Sequence, residues 1–557
     1  MSTINDATDS SAPKAENERR IVVFVGERIH DATIEAVERI VETFAHVRLL
    51  VVQAGVARPR GLARLRMVFD RLRREPLSWP LELVHRFFTM LFVPSRTRAN
   101  SDRVGLPAIE NLEHVWRVHF DDIASDACVD AIRKFGPWLG ISLDAPPLKR
   151  ELFSLPELGT IRVHKSFLPE YRGGPPGFWE LHDGAHETGV SIHWLDERRD
   201  AGDVVLQRRF DIPPFATPRG LEILLDDLGG KLLSDAVGLL DKGSATRTPQ
   251  LVPSTPTRDR PAFLLRRRVE ARCRKRRKQL HGAMPSLRDA FKNASLALWV
   301  NTWCTVRNFF RGARGDQRTA ILVYHRVSDT FTDTITTGIE QFARQLELAK
   351  AHYDVLDMHE WLQSRGKPRR RPAVVFAFDD GYSDNYVAAK LMRRAGVPCT
   401  FFVCTGIVGT EDPFLHDLER IGVRVPALTW DQCREMSRRG FHFASHSVYH
   451  TDFATSELDA ALEEIATASR HLRNQLGLEA RDHWLAYPFG LPTEMSDDLR
   501  SRIERAGVEV LFASDGGTNT QNFDLHAVHR IPVSSAISDN AFFALIEGWN
   551  MDLGARR

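Results

Sequence analysis

Residues 373–381, Ala-Val-Val-Phe-Ala-Phe-Asp-Asp-Gly, place two adjacent acids at the end of an apolar run. The first six residues are apolar, β-branched or aromatic, which predicts a short strand buried on both faces. Asp379 and Asp380 follow directly, and buried carboxylates are costly to desolvate unless a cation compensates. A divalent metal is the usual solution, with one Asp as ligand and its neighbour free to accept a proton. The alternative is a strand that ends in an ordinary Asp-Asp-Gly turn.

Two histidines downstream favour the metal over the turn. His446 and His450 are spaced i, i+4, so one turn of helix or a tight loop brings both imidazoles to one side. With Asp380 they offer two nitrogens and one oxygen, which leaves positions open for water and substrate. That composition is typical of a catalytic metal site. His442 is out of phase with the pair and is assigned to a strand.

In these blocks the sequence resembles the NodB-type polysaccharide deacetylases over about residues 318–535. The blocks that carry the resemblance are Leu-Val-Tyr-His-Arg-Val at 322–327, Phe-Asp-Asp-Gly at 378–381, Thr-Phe-Phe-Val at 400–403, His-Ser-Val-Tyr-His at 446–450 and Tyr-Pro-Phe-Gly at 487–490. The resemblance implies a distorted barrel of alternating strands and helices. It also implies removal of an N-acyl group from a sugar with the help of a metal, which we expect to be zinc, nickel or cobalt.

The resemblance also implies a role for individual residues. Asp379 corresponds to the general base. The metal ligands correspond to Asp380, His446 and His450. The wall that positions the oxyanion and the sugar corresponds to Tyr487, Pro488 and Phe489.

Two features depart from the family pattern. Many members carry an Arg just before the block at Tyr487, where this chain has His-Trp-Leu-Ala at 483–486. Members also use a late His as general acid. His526 and His529 are the candidates here, and we take His529 as the expected acid.

Length and composition indicate an ordinary soluble globular protein with more than one domain. Of the 557 residues, 43% are hydrophobic and 27% are charged, which is enough for two or more cores. The net charge is only +2, so no bulk attraction to nucleic acid is expected. The six cysteines show no metal-type pairing, which favours a reduced, intracellular setting. We expect no secretory signal in the polar residues 1–18 and no membrane-spanning segment.

The order of strand-like and helix-like segments predicts α/β architecture in both halves. Apolar runs at 20–26 and 49–53 flank a helical segment at 32–44, which predicts a mostly parallel sheet with crossover helices. The second half repeats this alternation, as expected of a barrel with its chemistry at the strand ends. The predicted division is a disordered tail (1–18), a first domain (19–245), a basic linker (246–317) and a second domain (318–557).

A second chemical motif lies at residues 161–174, Ile-Arg-Val-His-Lys-Ser-Phe-Leu-Pro-Glu-Tyr-Arg-Gly-Gly. A strand delivers His164 to its end, and a loop rich in Pro and Gly follows. Asp200 stands in a later loop, before Ala201 and Gly202. A His and an Asp on neighbouring loops can form an acid–base pair, in which the Asp orients the imidazole or takes a proton from an attacking amine. The alternative is a surface His and a turn Asp.

Together these blocks resemble the folate-dependent formyltransferases over about residues 20–245. The signature comprises His-Lys-Ser-Phe-Leu-Pro at 164–169, Tyr-Arg-Gly at 171–173, Thr-Gly-Val at 188–190 and Asp-Ala-Gly at 200–202. The resemblance implies a Rossmann-like domain that transfers a formyl group from 10-formyltetrahydrofolate to an amine, using an Asn, a His and an Asp. His164 and Asp200 match the last two, but Arg162 stands at the Asn position.

Arg162 leaves two readings of the first domain open. A guanidinium can donate hydrogen bonds to an oxyanion, but it is larger than an amide and cannot accept one. Arg162 therefore either retunes a formyltransferase or turns it into a non-catalytic binding module. The segment after Asp211 is too short for the separate barrel of tRNA-modifying members, so a sugar amine is the expected acceptor.

The linker has a strongly basic part. Residues 258–278 hold eleven Lys and Arg against two acids, and residues 287–310 follow with apolar side chains at helical spacing. Such a segment can lie on an anionic membrane surface. The alternative is a solvated arm followed by a helix packed between the domains.

The sequence thus predicts a cytoplasmic, two-domain enzyme of glycan assembly, and peripheral contact with the inner membrane face is left open. The second domain would remove an acetyl group from an acetamido sugar, and the first would formylate the exposed amine; the reverse order is also open. The sugar would be nucleotide-, lipid- or glycan-linked, with no nucleic-acid partner. The main alternative is a deacetylase that carries a formyltransferase-like binding module.

Overall fold

The apolar runs of the first half form strands whose alternate side chains face two cores. The computed structural model describes residues 18–27, 29–55, 73, 78–83, 112–251, 257–279, 318–364, 367, 369, 371–453, 455–477, 483–489, 497–520, 523–533 and 537–548. These residues form two compact units, divided between Arg276 and Arg277. In the first strand of unit 1, Val23 and Val25 belong to one hydrophobic cluster and Phe24 to another on the opposite face. The sheet is therefore covered on both sides, as expected of parallel strands with crossover helices.

Unit 1 is a seven-stranded sheet with helices in the connections. Its strands are β1 (Arg19–Val25), β2 (Val47–Ala54), β3 (Val115–Phe120), β4 (Leu139–Leu143), β5 (Thr160–His164), β6 (Glu187–Trp194) and β7 (Val204–Asp211). Its helices are α1 (Asp31–Thr43), α2 (Asp126–Phe135), α3 (Arg150–Phe153), α4 (Phe178–Asp183), α5 (Pro218–Asp241) and α6 (Phe263–Gln279), the last of which runs past the division between the units.

The strand order in unit 1 is β3-β2-β1-β4-β5-β6-β7. Strands β1 to β5 pair in parallel, whereas β6 and β7 add to the sheet antiparallel. The predicted Rossmann-like, mostly parallel sheet is confirmed. Because β6 runs antiparallel to β5, the loop between β6 and β7 begins beside the start of β5, where Trp194 stands opposite Ile161. Asp200 in that loop reaches His164 at 3.8 Å.

Unit 2 repeats the strand-and-helix alternation. Its strands are β8 (Thr319–Tyr324), β9 (Arg326–Val327), β10 (Thr336–Thr337), β11 (Asp354–Leu356), β12 (Ala373–Phe378), β13 (Thr400–Val403), β14 (His442–Ser445), β15 (Trp484–Ala486), β16 (Val510–Phe512) and β17 (Ile531–Pro532). Its helices are α7 (Ile339–His352), α8 (Met358–Gln363), α9 (Asn385–Ala395), α10 (Leu415–Ile421), α11 (Trp430–Arg438), α12 (Leu458–Leu476), α13 (Asp497–Arg505) and α14 (Asp539–Ile546).

The main sheet of unit 2 is parallel throughout and has eight strands. Its order is β16-β15-β14-β13-β12-β8-β17, with β11 also paired to β12. All six residues of the central strand β12 are buried, as the apolar run predicted. Such a curled parallel sheet agrees with the expected distorted barrel. Because its strands run in the same direction, their carboxyl ends collect the site residues at one edge.

Part of the basic linker segment forms helix α6. Val269 and Cys273 of α6 pack against Phe178 of α4, and Arg272 donates to the carbonyls of Leu181 and His182. The apolar segment 287–310 lies outside the described residues. Among the helices that the structure does describe, none combines the length and the apolar character needed to cross a bilayer.

Candidate functional sites

Asp380, His446 and His450 converge at the carboxyl edge of the unit 2 sheet. Asp380 follows β12 and His446 follows β14, with β13 between the two strands. Oδ1 of Asp380 lies 3.3 Å from Nε2 of His446 and 3.4 Å from Nε2 of His450. One potential ligand atom from each residue falls within 4.8 Å of the others. The structure therefore brings together the three residues that the sequence predicted as ligands.

The donor set fits a divalent cation. Both oxygens of Asp380 are buried and have no hydrogen-bond partner among the described residues, although a carboxylate needs compensation when it is desolvated. Bonds of about 2.1 Å in a tetrahedral zinc site put neighbouring ligands about 3.4 Å apart, close to the two distances above. Nδ1 of His446 lies 2.9 Å from the carbonyl of Ala486. That hydrogen bond puts the proton on Nδ1 and leaves the Nε2 lone pair facing Asp380.

A tight loop, rather than a helix, presents the two histidines. Ser447 and His450 adopt positive φ values of 66° and 60°, so the chain folds back within one turn. One carboxylate oxygen of Glu464, on α12, accepts hydrogen bonds from the backbone amides of Val448 and Tyr449. This anchor fixes the loop, and with it the spacing of the imidazoles.

Asp379 is held by an arginine that the sequence did not point to. Nη1 and Nη2 of Arg530 donate to Oδ1 and Oδ2 of Asp379 at 2.6 and 2.8 Å. Both side chains are buried, at 0% exposure for Arg530 and 3% for Asp379. Burial alone would raise the pKa of Asp379, but the charges of Arg530 and His446 bring that pKa below its ordinary value. Arg530, which directly precedes β17, thus supplies a guanidinium to Asp379.

His325 also faces this cluster. It follows β8 directly, and β8 pairs with β12 so that Tyr324 stands opposite Phe378. The next residues along these two strands are His325 and Asp379. Burial lowers the pKa of His325, the charges of Asp380 and Asp379 oppose that shift, and His446 and Arg530 add to it. These interactions place the imidazole within electrostatic range of both acids.

The two predicted general acids point elsewhere. Nδ1 of His529 lies 2.9 Å from Asp515, and its side chain is 42% exposed. His526 pairs with Glu504 at 3.2 Å. The neighbour Arg530 points into the barrel, and successive side chains of an extended chain alternate, which explains why His529 faces outward. Among the described contacts, neither histidine touches Asp379 or the three predicted ligands, so the geometry does not place the expected acid at this site.

The predicted substrate wall is only partly available to a ligand. Tyr487 is buried, and its backbone amide donates to the carbonyl of Phe512 at 2.9 Å. Pro488 has no amide hydrogen to offer. Phe489 is 55% exposed, adopts a φ of 61° and lies edge-on to His450 at 4.7 Å between ring centroids. The exposed ring of Phe489 is therefore the part of this wall that a sugar can contact, and Gly490 lies outside the described residues.

If the three predicted ligands bind a cation such as zinc, its binding should be linked to the release of one proton, because the pKa values of the two histidines are shifted in opposite directions. Burial opposes the charged form of His446, but Asp379 and Asp380 more than compensate, so its pKa is raised. Burial and the neighbouring histidines lower the pKa of His450 to about 3, so it is already neutral at mild acidity. Below the pKa of His446, one proton must leave its imidazole before a cation binds. The Kd for zinc should therefore rise about tenfold for each unit by which the pH falls. Chelator competition between about pH 5 and pH 7 measures how the logarithm of the Kd changes with pH. A change that corresponds to the release of two protons would contradict this prediction.

In unit 1 the structure brings His164 and Asp200 together. His164 is the last residue of β5, and Asp200 lies in the connection between β6 and β7 with a φ of 52°. Nδ1 of His164 is 3.8 Å from Oδ1 of Asp200, and both side chains are buried. Nε2 of His164 contacts the carbonyl of Tyr171 at 2.8 Å, while Oδ2 of Asp200 accepts from the amide of Gly173. The loop 171–173 therefore orients both members of the predicted pair.

Arg162 and His193 complete this cluster. They stand opposite each other across the β5–β6 ladder. Nε2 of His193 lies 4.0 Å from Oδ1 of Asp200 and has no hydrogen-bond partner among the described residues. Burial opposes ionisation of Asp200, but the charges of His164, Arg162 and His193 lower its pKa. Burial lowers the pKa of His164, and Arg162 adds to that shift. His193 lies in β6, and no motif in the sequence indicated that it belongs to the site.

Family models match both halves of the chain. Residues 148–237 match the Formyl transferase family, and residues 366–511 match the Polysaccharide deacetylase family. The chain therefore carries a domain of each family, and the resemblances inferred from the motifs are confirmed.

Curated formyltransferases are similar to a part of this chain. Methionyl-tRNA formyltransferase of Syntrophus aciditrophicus (strain SB) is 39% identical over 129 residues, which is 23% of this chain and 41% of that protein. Methionyl-tRNA formyltransferase of Listeria monocytogenes serovar 1/2a is 42% identical over 103 residues, 18% of this chain and 33% of that protein. The chain thus spans well under half the length of these relatives.

Two solved structures are among those similar to parts of this chain. The Streptococcus pyogenes deacetylase PplD in complex with acetate has 21% identity and a TM-score of 0.35, covering 41% of this chain and 98% of that chain. A sugar N-formyltransferase from Shewanella sp. has 13% identity and a TM-score of 0.29, covering 43% of this chain and 76% of that chain.

Proposed function

We propose that unit 2 is a metal-dependent N-deacetylase of an acetamido sugar. The observation that carries the proposal is the convergence of Asp380, His446 and His450 beside a second buried acid, Asp379. Zinc, or nickel or cobalt, would be held by these three residues. A bound cation would polarise the amide carbonyl and acidify a water molecule.

The remaining chemistry falls to residues around the cation site. Each oxygen of Asp379 accepts one hydrogen bond from Arg530 and keeps a second lone pair, with which the carboxylate accepts the proton of the attacking water. We assign protonation of the leaving amine to His325 instead of His529, because His325 interacts with both acids whereas His529 faces Asp515. Phe489 offers its exposed ring to the sugar.

For unit 1 we propose N-formyl transfer from 10-formyltetrahydrofolate to a sugar amine. Asp200 accepts a proton from the attacking amine, and its contact with His164 orients the imidazole. Arg162 donates hydrogen bonds to the formyl oxygen as negative charge develops there. Nη2 of Arg162 donates a long hydrogen bond of 3.5 Å to the carbonyl of Ala145. No ion pair of Arg162 within 4.0 Å is found in the described part of the chain, so we assign its other N–H groups to the formyl oxygen.

The two activities would form a sequence. Deacetylation exposes the amine that formyl transfer consumes, and the reverse arrangement would remove a formyl group from a product. The folate donor implies a cytoplasmic setting, and the sugar would be nucleotide-, lipid- or glycan-linked. Peripheral contact with an anionic membrane, through the basic linker, belongs to the same hypothesis. The second candidate is a deacetylase with a non-catalytic formyltransferase-like module, which the Arg162 substitution favours.

Mass spectrometry tests each half separately. The zinc-loaded full chain is incubated with a panel of N-acetylated amino sugars, free and nucleotide-linked. Loss of mass equal to replacement of one acetyl group by hydrogen supports the deacetylase, and no loss with any member contradicts it. The corresponding free amines are then supplied with 10-formyltetrahydrofolate. Absence of a formylated product with every amine would favour the binding module.

Replacing Arg162 should change formyl transfer in a graded way. Arg162→Ala removes the proposed oxyanion donor and should lower kcat by about 10²–10³-fold. Arg162→Asn restores a side-chain amide donor and should retain more activity than the alanine variant. Formyl-product formation under saturating donor measures both. Equal activity of the wild type and Arg162→Ala would exclude the proposed role. Arg208→Ala on β7, two strands away, serves as the control, because Arg208 is half exposed and paired with Asp235.

A further inference from the structure

A strap of two short segments, residues 248–250 and 257–259, lies against the loops beside the acid–base pair of unit 1. Both segments belong to the predicted basic linker, and no sequence motif includes either of them. Each is joined by backbone hydrogen bonds to one of the two loops that hold His164 and Asp200 in place. This part of the linker therefore belongs to the surroundings of the candidate formyltransferase site.

The first segment fixes the chain that follows Asp200. Thr248 exchanges two backbone hydrogen bonds with Val204, at 2.8 and 2.9 Å. Nε2 of Gln250 donates to the carbonyl of Gly202. Three hydrogen bonds thus tie the strap to the residues between Asp200 and the start of β7.

The second segment fixes the loop that contacts both members of the pair. The amide of Arg258 donates to the carbonyl of Arg172 at 2.9 Å, and the amide of Gly174 donates to the carbonyl of Arg258 at 3.2 Å. Gly173 lies between these two bonds, and its own amide donates to Asp200 at 3.1 Å. A Cβ on Gly173 would lie 2.0 Å from the carbonyl oxygen of Arg258, and its φ is 94°. Only glycine therefore fits beneath the strap at this position.

The side chain of Arg258 holds the same loop from its other end. Its guanidinium lies 5.5 Å from the ring centroid of Tyr171 and 5.0 Å from that of Trp179, and it pairs with Asp183 at 2.7 Å. The carbonyl of Tyr171 lies 2.8 Å from Nε2 of His164. Because a carbonyl oxygen only accepts hydrogen bonds, the neutral imidazole carries its hydrogen on Nε2 and leaves Nδ1 without one.

We propose that Arg258 is a positioning residue, which through the loop 171–174 keeps the acid–base pair of unit 1 in the geometry that formyl transfer needs. Among the contacts of the described residues, Arg258 touches neither His164 nor Asp200, so its effect on the pair passes through the loop. Displacement of a catalytic group by about 1 Å can cost about 10²-fold in rate. The inference rests on the formyl-transfer half of the proposed function.

Steady-state kinetics of the full-length protein test the catalytic consequence. Arg258→Ala should lower kcat for formyl transfer by about 10–100-fold and leave the KM for the amine nearly unchanged, because the geometry of the pair changes and no substrate contact is lost. Arg258→Lys keeps a cation for Asp183 but not the planar group, so its kcat should lie between those of the wild type and the alanine variant. Arg260→Ala removes an exposed arginine two residues further on and should change neither parameter.

Hydrogen exchange of the same proteins tests the hold on the loop without any substrate. Arg258→Ala should speed amide exchange in the peptide that covers residues 171–174 by about tenfold, because the ion pair and the ring contacts that fix the loop are lost. Peptides from β5 and β6 should exchange as in the wild type, which also establishes that the variant is folded. Arg260→Ala should leave all of these peptides unchanged.

The outcomes separate the inference from the proposed function. A wild type that formylates no amine removes the proposed transferase and the inference with it. An active wild type with equal kcat in a folded Arg258→Ala overturns only the inference, and so does exchange at 171–174 that stays at the wild-type rate. A rise in KM alone would make Arg258 a substrate-binding residue and would also overturn it. Faster exchange of the loop together with a lower kcat is the expected result.

Discussion

Asp379→Asn should slow N-deacetylation by about 10²–10⁴-fold while zinc remains bound, because the variant loses a proton acceptor and no ligand. Asp380→Asn should instead remove the metal, since the oxygen between His446 and His450 would lose its charge. The two acids are adjacent, buried and nearly the same in shape, so each variant is the matched control for the other. Release of acetate and bound zinc, measured on the same samples, report the two effects.

The opposite assignment of the two acids makes a different prediction. If Asp379 were the ligand, Asp379→Asn would lose zinc and Asp380→Asn would keep it. Loss of zinc from both variants would mean that the pair binds the cation jointly, and the assignment of a separate base would be wrong. Circular dichroism and thermal unfolding must accompany the assay, since Asp379→Asn also leaves the charge of Arg530 without its carboxylate.

The strand-end residues of unit 2 could be predicted from local patterns alone. An apolar run followed by two acids indicates a buried strand with its polar residues at the carboxyl end, and β12 ends at Phe378, directly before Asp379. His446 follows β14 in the same way. Parallel strands put such residues at one edge, so convergence of Asp380 with His446 needed no further information. The spacing of His446 and His450 left a helical turn and a tight loop open, and the positive φ values select the loop.

The residues that the sequence did not identify are those defined by long-range packing. Arg530 reaches Asp379 across 151 positions of the chain, and it precedes a strand of only two residues, Ile531 and Pro532. Neither local periodicity nor spacing indicates such a contact. His325 could also have been predicted from its position, because it follows β8 directly. The family pattern, which has a late His as general acid, favoured His529 instead. In unit 1, His193 lies at the site because it stands opposite Arg162 in the pairing of β5 with β6.

Arg530→Met should destabilise the metal-free protein by about 3–5 kcal/mol at neutral pH, which is the cost of leaving one member of a buried ion pair without its partner. The paired carboxylate has its pKa lowered mainly by Arg530 acting against burial. The stability from this pair is therefore present above the pKa of an unfolded Asp, about 3.9, and is lost only as the pH falls through the folded value. Chemical denaturation in the presence of a metal chelator measures the loss.

The pH dependence of the variant should have the opposite sign. Burial is the largest influence on the pKa of Asp379 and raises it. Without the opposing charge of Arg530 that pKa should rise, so the folded variant should bind a proton more readily than the unfolded chain. Its stability should decrease as the pH rises through that raised pKa, and the difference from wild type should be larger at about pH 8 than at about pH 5. Adding Asp379→Asn to Arg530→Met removes the unpaired charge and should recover much of the loss.

Arg502→Met is the matched surface control for this experiment. Arg502 pairs with Asp459 and Asp498 at 3.5 Å, but its side chain is 41% exposed. Exposed pairs contribute about 0–1 kcal/mol, so the same substitution there should have little effect. Similar losses at positions 530 and 502, or a loss at 530 that does not depend on pH, would mean that the Asp379–Arg530 pair is not a buried ion pair in solution. Asp379 would then lack the fixed orientation on which its role as a base depends.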